Sequence, residues 1–203
     1  MIASLLTGLS EFYGLATLYQ LANSKEASLS RKITLSDSGA IGDWIYDRKG
    51  GKIIRKIDPL TGCMAGAWNG GDGDEGAELT FRLGASARMA TNFVVISLGA
   101  IVFEKLRRQG AIPELLKVLI EVCKPSWGFV TSHELMRALS TPPKDVDVGF
   151  VTYVSGMREF DGHRELIDVE KFYDGQLITI GEASTSADAR TVELAKLIRS
   201  KVN

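Results

Sequence analysis

The sequence predicts an α+β fold, in which a largely antiparallel central sheet is flanked by helices within a single domain. Strand-type segments cluster in the middle of the chain, while helical segments lie near both ends and once between the strands. They do not alternate regularly as strand, helix, strand, the order that parallel sheets need. At 203 residues, the chain is long enough to bury one sizeable core.

The first predicted helix covers much of residues 3–25, within an N-terminal segment of helix and linker at 1–30. Its apolar side chains recur at helical spacing: Phe12, Leu15, Ala16, Tyr19 and Ala22. The stretch "IGDWIYDRKGGKIIRKID" then predicts two short extended segments around the turn Lys49-Gly50-Gly51. Pro59, Gly62 and Gly66 predict an irregular stretch after it.

The sheet is expected within residues 31–185. In "ELTFRLG", Leu79, Phe81 and Leu83 alternate with polar residues, which is typical of a half-buried strand. "NFVVISLGAIVF" is apolar and β-branched and predicts a more buried strand, with an ambiguous far end. "WGFVTS", "VDVGFVTYVSG" and "QLITIG" predict further strands, and the prolines of "STPPKD" predict a stiff turn.

Two more helices complete the predicted fold. One covers residues 112–124, with Pro113 in its first turn and Pro125 after its end. Its predicted apolar stripe consists of Ile112, Leu115, Leu116, Leu119 and Cys123. The other covers residues 186–203, with hydroxyl residues suited to capping its start. Its predicted apolar face consists of Val192, Ala195, Ile198 and Val202.

The charge balance argues against direct nucleic-acid binding. The chain has 24 basic and 25 acidic side chains and a net charge of -1, whereas proteins that neutralise a phosphate backbone usually carry a basic excess. No apolar stretch is long enough to span a bilayer, and the N-terminus lacks the basic start of a signal peptide. The two cysteines, Cys63 and Cys123, suggest reduced thiols rather than a disulfide framework. We therefore expect a cytoplasmic protein.

The stretch Gly71-Asp72-Gly73-Asp74-Glu75-Gly76 spells G-x-G-x-x-G, the spacing of dinucleotide-binding turns. Those turns open a helix, but here an alternating strand pattern follows, and three acidic side chains would repel phosphate. The same carboxylates could ligate calcium, although Gly76 replaces a ligand that an EF-hand loop needs. We expect an acidic, solvated turn, without a metal or cofactor, that leads into a strand and is able to face a basic partner.

Catalytic chemistry is weakly indicated. The two histidines are His133, beside Ser132 and Glu134, and His163 in a polar turn. Neither belongs to a recognisable nucleophile or zinc motif, so a structural role is favoured. A small enzyme or ligand-binding domain with its site around His133 and Glu134 remains the alternative.

The most specific pattern follows the predicted central helix: "LLKVLIEVCKPSWGFVTS", then "PPKDVDVGFVTYVSG", then "DGQLITIGEAS". This order resembles the bacterial polymorphic-toxin immunity proteins of family fifty-two, over about residues 75–185. The positions that carry the resemblance are Trp127, Gly128, Phe129, Gly149, Phe150 and Tyr153.

The resemblance implies a cytoplasmic inhibitor that binds the toxin encoded beside it. Such toxins commonly carry a restriction-endonuclease-like nuclease domain and are often delivered by a type VI secretion system. The implied partner is thus a cognate toxin protein rather than nucleic acid or a membrane, and self-association into a homodimer stays open.

The same positions have expected structural roles. Trp127 and Phe129 should share one strand face and pack in the core, and Gly128 and Gly149 should allow close approach of neighbouring groups. On a regular strand, Phe150 and Tyr153 would point to opposite faces, so one of them could be exposed.

Carboxylates that mimic nucleic-acid charge are expected to contact a basic toxin cleft. The candidate toxin-binding residues are Asp72, Asp74, Glu75, Asp145, Asp147, Tyr153, Glu159 and Asp161.

Overall fold

A computed structural model describes residues 1–35, 38–46, 48–49, 52–53, 60, 62–86, 92–140, 146–157, 159–160, 165–181 and 187–202. It confirms the α+β class and the antiparallel pairing of the strands. Contacts divide the chain into two compact units, Met1–Gln109 and Gly110–Asn203. Each unit contains one four-stranded sheet, so the strands do not form one central sheet. The organisation as one domain stays a prediction.

The first unit contains four helices and six strands among its described residues. Its helices are α1 (Ile2–Leu9), α2 (Lys25–Leu29), α3 (Ser38–Tyr46) and α4 (Ala100–Arg108). Its strands are β1 (Tyr19–Gln20), β2 (Arg48–Lys49), β3 (Lys52–Ile53), β4 (Cys63–Trp68), β5 (Ala77–Leu83) and β6 (Phe93–Leu98). The main sheet has the order β1-β4-β5-β6, and β2 and β3 form a separate hairpin.

Strand β5 organises the core of the first unit. Its burial alternates as the sequence predicts, with Leu79, Phe81 and Leu83 on the buried face. Trp44 of α3 packs edge-on against Phe81, with ring centroids 5.7 Å apart. The leucines of α1, and Val102 and Leu106 of α4, are also buried in this unit.

Three predictions for the first unit are wrong. The first helix ends at Leu9 instead of near residue 25, because the following residues form turns and Gly14 has a φ of +79°, outside the helical region. The extended segment expected before Lys49 is mostly helix α3, although the hairpin itself is present. The stretch expected to be irregular contains strand β4.

The second unit contains three helices and four strands among its described residues. They are α5 (Ala111–Cys123), β7 (Trp127–Val130), α6 (His133–Leu139), β8 (Val151–Ser155), β9 (Ile167–Phe172), β10 (Gly175–Ile180) and α7 (Ala189–Val202). The sheet has the order β7-β8-β10-β9. Helices α5 and α7 confirm the predicted helices to within a few residues, whereas α6 and β9 have no counterpart among the sequence predictions.

Helices cover both faces of this second sheet. The strand register places Gly128, Tyr153, Leu177 and Glu170 in one row across the sheet. A β-carbon at Gly128 would lie 3.2 Å from a methyl group of Leu116, so this face packs on α5. The opposite face, which includes Ile178 and Ile180, forms a buried cluster with residues of α6 and α7. The central strands β8 and β10 are therefore buried on both sides.

The buried stripes of α5 and α7 are offset from the predicted ones. Ile112, Leu115 and Leu116 are buried as expected, but Ile120 completes the stripe, while Leu119 and Cys123 are only partly covered. In α7, Ala195 and Ile198 are joined by Thr191 and Leu194. Its start is capped by a carboxylate, because the backbone N–H of Thr191 donates to Asp188 Oδ1 at 2.7 Å.

Candidate protein-binding surface

The G-x-G-x-x-G stretch forms a compact turn, here called the acidic turn (residues 71–76), that connects β4 to β5. It contains a single 3₁₀ turn, Gly73–Glu75, and β5 begins directly after it. The prediction of a turn leading into a strand is confirmed. No helix starts at Gly76, so the turn lacks the helix N-terminus that holds pyrophosphate in dinucleotide-binding folds.

The side chain of Asn69 holds the acidic turn together from inside. Its Oδ1 accepts hydrogen bonds from the backbone N–H groups of Gly71 and Ala77, both at 2.9 Å. Its Nδ2 donates to the carbonyl oxygen of Glu75 at 3.0 Å. One carboxamide thereby ties the start, the end and the following strand of the turn to one another. The turn is more ordered than the solvated loop that the sequence suggests.

Further backbone contacts fix the turn against its neighbours. The indole N–H of Trp68 donates to the carbonyl oxygen of Gly71 at 2.7 Å. The N–H of Gly99, at the start of α4, donates to the carbonyl oxygen of Gly76 at 2.7 Å. A β-carbon at Gly99 would lie only 2.5 Å from the carbonyl oxygen of Asp74, so glycine is required for this approach.

The carboxylates of the acidic turn point outward from this fixed backbone. Asp72, Asp74 and Glu75 are all exposed. Asp72 forms an ion pair with Lys25, whose ammonium group also lies 5.8 Å from the centroid of the Trp68 ring. Glu78, at the start of β5, adds a fourth exposed carboxylate. The result is a negative patch on a rigid support, with Lys25 as its partial counter-charge.

A carboxylate on the adjoining helix α2 extends this negative patch. A hydrogen bond from its own backbone N–H, and then one from Ser24, lower the pKa of Glu26. Glu26 is therefore ionised at neutral pH. Among the residues that the structure describes, no group of three or more His, Cys, Asp or Glu side chains is arranged to hold a metal ion.

The other candidate acids are only partly placed. Glu159 is exposed and Asp147 is half-buried. Asp145 and Asp161 lie outside the described residues, as does His163. Asp72, Asp74 and Glu75 therefore form the best-defined group of the set.

Tyr153 is a correction. Its side chain is fully buried, so it does not belong to a partner-binding surface in this conformation. The expectation that either Phe150 or Tyr153 lies exposed fails because helices cover both faces of the second sheet, and both rings are buried. The Tyr153 hydroxyl donates to Asp174 Oδ1, and Ser155 Oγ donates to Asp174 Oδ2 at 2.9 Å.

These contacts shift the two pKa values in opposite directions. Burial, and then the hydrogen bond with Asp174, raises the pKa of Tyr153 to about 12. The hydrogen bonds from Tyr153 and Ser155 lower the pKa of Asp174. The pair fixes the turn between β9 and β10, which is a structural role.

Trp127 is also a correction, because its side chain is more exposed than predicted. Although it was expected in the core, 42% of its surface is exposed, because it is the first residue of the edge strand β7. Phe129 is partly buried. Gly149 behaves as predicted, since a β-carbon there would lie 1.9 Å from the carbonyl oxygen of Val130.

A second exposed aromatic residue was missed by the sequence reasoning. Tyr173, in the turn between β9 and β10, is 51% exposed and adopts a φ of +53°. Lys124 lies over its ring, 5.6 Å from the centroid, and a hydrogen bond with the Tyr173 side chain raises the pKa of Lys124. Its position after the charged segment "DVEKF" could have suggested a hairpin turn. Exposed tryptophan and tyrosine are the residues most often found at the energetic centres of protein interfaces.

His133 and Glu134 form the first turn of α6, where both are exposed. Ser132 caps this helix by accepting a hydrogen bond from the N–H of Leu135 at 3.1 Å. A cavity of about 210 Å³ is lined instead by Glu165, Leu166, Arg190, Glu193 and Leu194. His133 and Glu134 therefore lie at the start of a helix and do not line that cavity.

Comparison with known proteins adds no assignment: no protein-family model matches the chain, and no curated protein sequence matches it. The resemblance to immunity proteins therefore rests on the short motifs themselves. No helix within the described ranges is both long enough and apolar enough to cross a membrane.

Proposed function

We propose that the protein is an immunity protein, which binds and neutralises a cognate secreted bacterial toxin in the cytoplasm. The toxin would be a nuclease effector, of the kind delivered by type VI secretion systems. The motifs within about residues 75–185 suggest this class, and the acidic turn carries the proposal on the structural side. The protein works by surface contact and needs no cofactor.

The acidic turn supports this function through its charge and its order. A nuclease cleft is shaped to hold phosphate groups and is therefore basic or metal-bearing. Carboxylates on an inhibitor can occupy such a cleft and accelerate encounter through long-range attraction. Because Asn69 and Gly99 already fix the backbone of the turn, binding need not order it again, which lowers the entropic cost of association.

The first experiment tests the function itself. The toxin domain encoded by the adjacent gene is expressed in bacteria with and without this protein, and the two proteins are then co-purified. We expect survival only with co-expression, together with a stable complex. Equal killing in both cultures and a failure to co-purify would refute the immunity function.

The second experiment tests the acidic turn. Asp72, Asp74 and Glu75 are all changed to lysine, and the association rate with the toxin is measured by stopped-flow fluorescence at low and high salt. The matched control changes Glu121, Glu165 and Asp168, three exposed acids of the second unit, to lysine. Both variants carry the same change in net charge.

If the turn steers binding, its reversal slows association on the order of tenfold or more at low salt, and the difference shrinks as salt screens the charges. The control should slow association less. Equal slowing by both variants would mean that net charge alone matters, and unchanged association would remove the turn from the interface.

A further inference from the structure

Strand β6 is an unusually apolar sheet edge. It pairs with β5 on one side and is the last strand of its sheet among the described residues. Its sequence, "FVVISL", contains neither a charge nor a proline. None of its six side chains is buried, and Val95 is 50% exposed. The prediction that this strand is more buried than its neighbours is wrong.

Such an edge needs an explanation, because an exposed row of backbone N–H and C=O groups on an apolar strand invites pairing with another chain. Edge strands are normally protected by charged side chains, prolines or bulges. In the second sheet, the edge strand β9 follows this rule, with Asp168, Glu170 and Lys171 in its six residues, whereas the other edge strand, β7, is uncharged but only four residues long, and shortness is itself a protection. Strand β6 lacks both charge and proline.

We propose that β6 pairs with β6 of a second copy of this chain, antiparallel and about a two-fold axis at Val95. For the exposed faces of the two sheets to form one continuous surface, the paired residues must point to the same side. Pairing Val95 with its own copy satisfies this condition and places Phe93 opposite the second copy's Ser97. The two sheets then form one eight-stranded sheet.

Charge complementarity supports this register. On β5, Arg82 pairs with Phe93 and Glu78 pairs with Ser97. In the dimer, the two outer rows across the exposed face therefore run from Arg82 of one copy to Glu78 of the other, and the central row runs between the two copies of Thr80. The backbones of Arg82 and Glu78 lie about 14 Å apart, three strand spacings, so their attraction is a weak, salt-screened bias on the register. A shift to an axis at Ile96 would remove this match of opposite charges.

The choice of a second copy follows from these features. An uncharged strand can meet its own copy without repulsion, and the neighbouring charges on β5 attract when the two-fold axis is applied. An edge contact of this kind buries less surface than the roughly 1,600 Å² of a standard interface, so we expect a weak dimer that dissociates on dilution. This inference does not depend on the immunity function.

The test uses the whole 203-residue chain and introduces either a positive or a negative charge at Val95. Sedimentation velocity is measured over a concentration series for the wild type, Val95→Lys, Val95→Glu and an equimolar mixture of the two variants. Leu29→Lys is the matched control, because Leu29 is 42% exposed and lies on α2, beside β1 at the opposite edge of the same sheet. Circular dichroism checks that each variant is folded.

We expect the wild type and Leu29→Lys to dimerise, each Val95 variant alone to be monomeric, and the mixture to dimerise again. Like charges directly opposite one another destabilise strand pairing, and opposite charges restore it. A second readout is concentration-dependent protection of alternate β6 amides from hydrogen exchange, which a contact through side chains alone would not produce.

Two results would overturn the proposal. One is a wild type that stays monomeric across the whole concentration series. The other is a mixture that fails to dimerise although both folded variants are monomeric. If the wild type is monomeric but Val95→Lys loses toxin binding, the edge pairs with a strand of the toxin instead of a second copy.

Discussion

Replacing Asn69 with alanine should loosen the acidic turn without changing any charge. The carboxamide of Asn69 makes three hydrogen bonds to the backbone of the turn and of β5, at 2.9, 2.9 and 3.0 Å. Alanine provides neither the acceptor for Gly71 and Ala77 nor the donor for Glu75. The backbone N–H groups of Gly71 and Ala77 are part-buried, so water replaces their lost acceptor incompletely.

The magnitude follows from the bond count. A hydrogen bond in a protein contributes about 1 kcal/mol net, and a buried group left without a partner costs about 1–3 kcal/mol. Two of the three bonds are part-buried, so the loss in unfolding free energy should be about 3 kcal/mol. With an m-value of about 2 kcal/mol/M, the midpoint of urea unfolding would fall by about 1.5 M.

The assay is urea unfolding followed by tryptophan fluorescence, with amide hydrogen exchange at Gly71 and Ala77 as the local readout. Asn92→Ala is the control. Asn92 makes two hydrogen bonds with the backbone of Ala85, at 2.8 and 3.1 Å, but both are exposed. Its loss should cost only about 1 kcal/mol. If Asn69→Ala costs no more than Asn92→Ala, or if exchange at Gly71 and Ala77 is unchanged, the proposed role of Asn69 is wrong.

Three further outcomes are expected. Gly149→Ala should lower the free energy of unfolding by at least about 3 kcal/mol, because its β-carbon would meet the backbone of Val130. Gly42→Ala, in open space on α3, should raise the free energy of unfolding by about 0.5–1 kcal/mol. Both changes are measured by urea unfolding. Tyr153→Phe should be less stable than the wild type at neutral pH, because the ionised carboxylate of Asp174 loses the Tyr153 hydrogen bond. Since only the ionised form gains from this bond, a pH series should show the stability difference disappearing as the pH falls through the lowered pKa of Asp174. His133→Ala should protect cells from the toxin as well as the wild type does; a large loss of protection would revive a site around His133 and Glu134.

Local sequence patterns correctly predicted the helices and strands that have a strong hydrophobic periodicity or whose contacts lie close in sequence. The alternation in β5 predicted the strand and its buried side, and the apolar repeat of α5, bounded by Pro113 and Pro125, predicted the helix and three of its four buried residues. The first helix was predicted too long, because apolar residues after Leu9 keep a helical spacing while packing as turns. Periodicity shows only which side chains are apolar. It does not show the turn at Gly14, which depends on the close approach of this residue to Val102.

Burial was less predictable than secondary structure, because it depends on where each strand lies in its sheet. Trp127 and Tyr153 belong to adjacent strands with similar apolar character, yet one is on the edge strand and the other on a central strand. The same reasoning explains β6, whose β-branched sequence suggested burial although the strand lies at an edge. Strand order arises from pairings between distant segments, and a single sequence does not reveal it.

The acidic turn has two separable properties, charge and order, and the two sets of variants distinguish them. Charge reversal keeps the Asn69 hydrogen bonds and alters the long-range attraction, so its main effect should be on the association rate and should depend on salt. Asn69→Ala keeps every charge and releases the backbone, so the complex must order the turn at the moment of binding. Its effect on affinity should therefore persist at high salt. If both variants weaken the complex with the same salt dependence, the order of the turn contributes nothing beyond holding its charges in place.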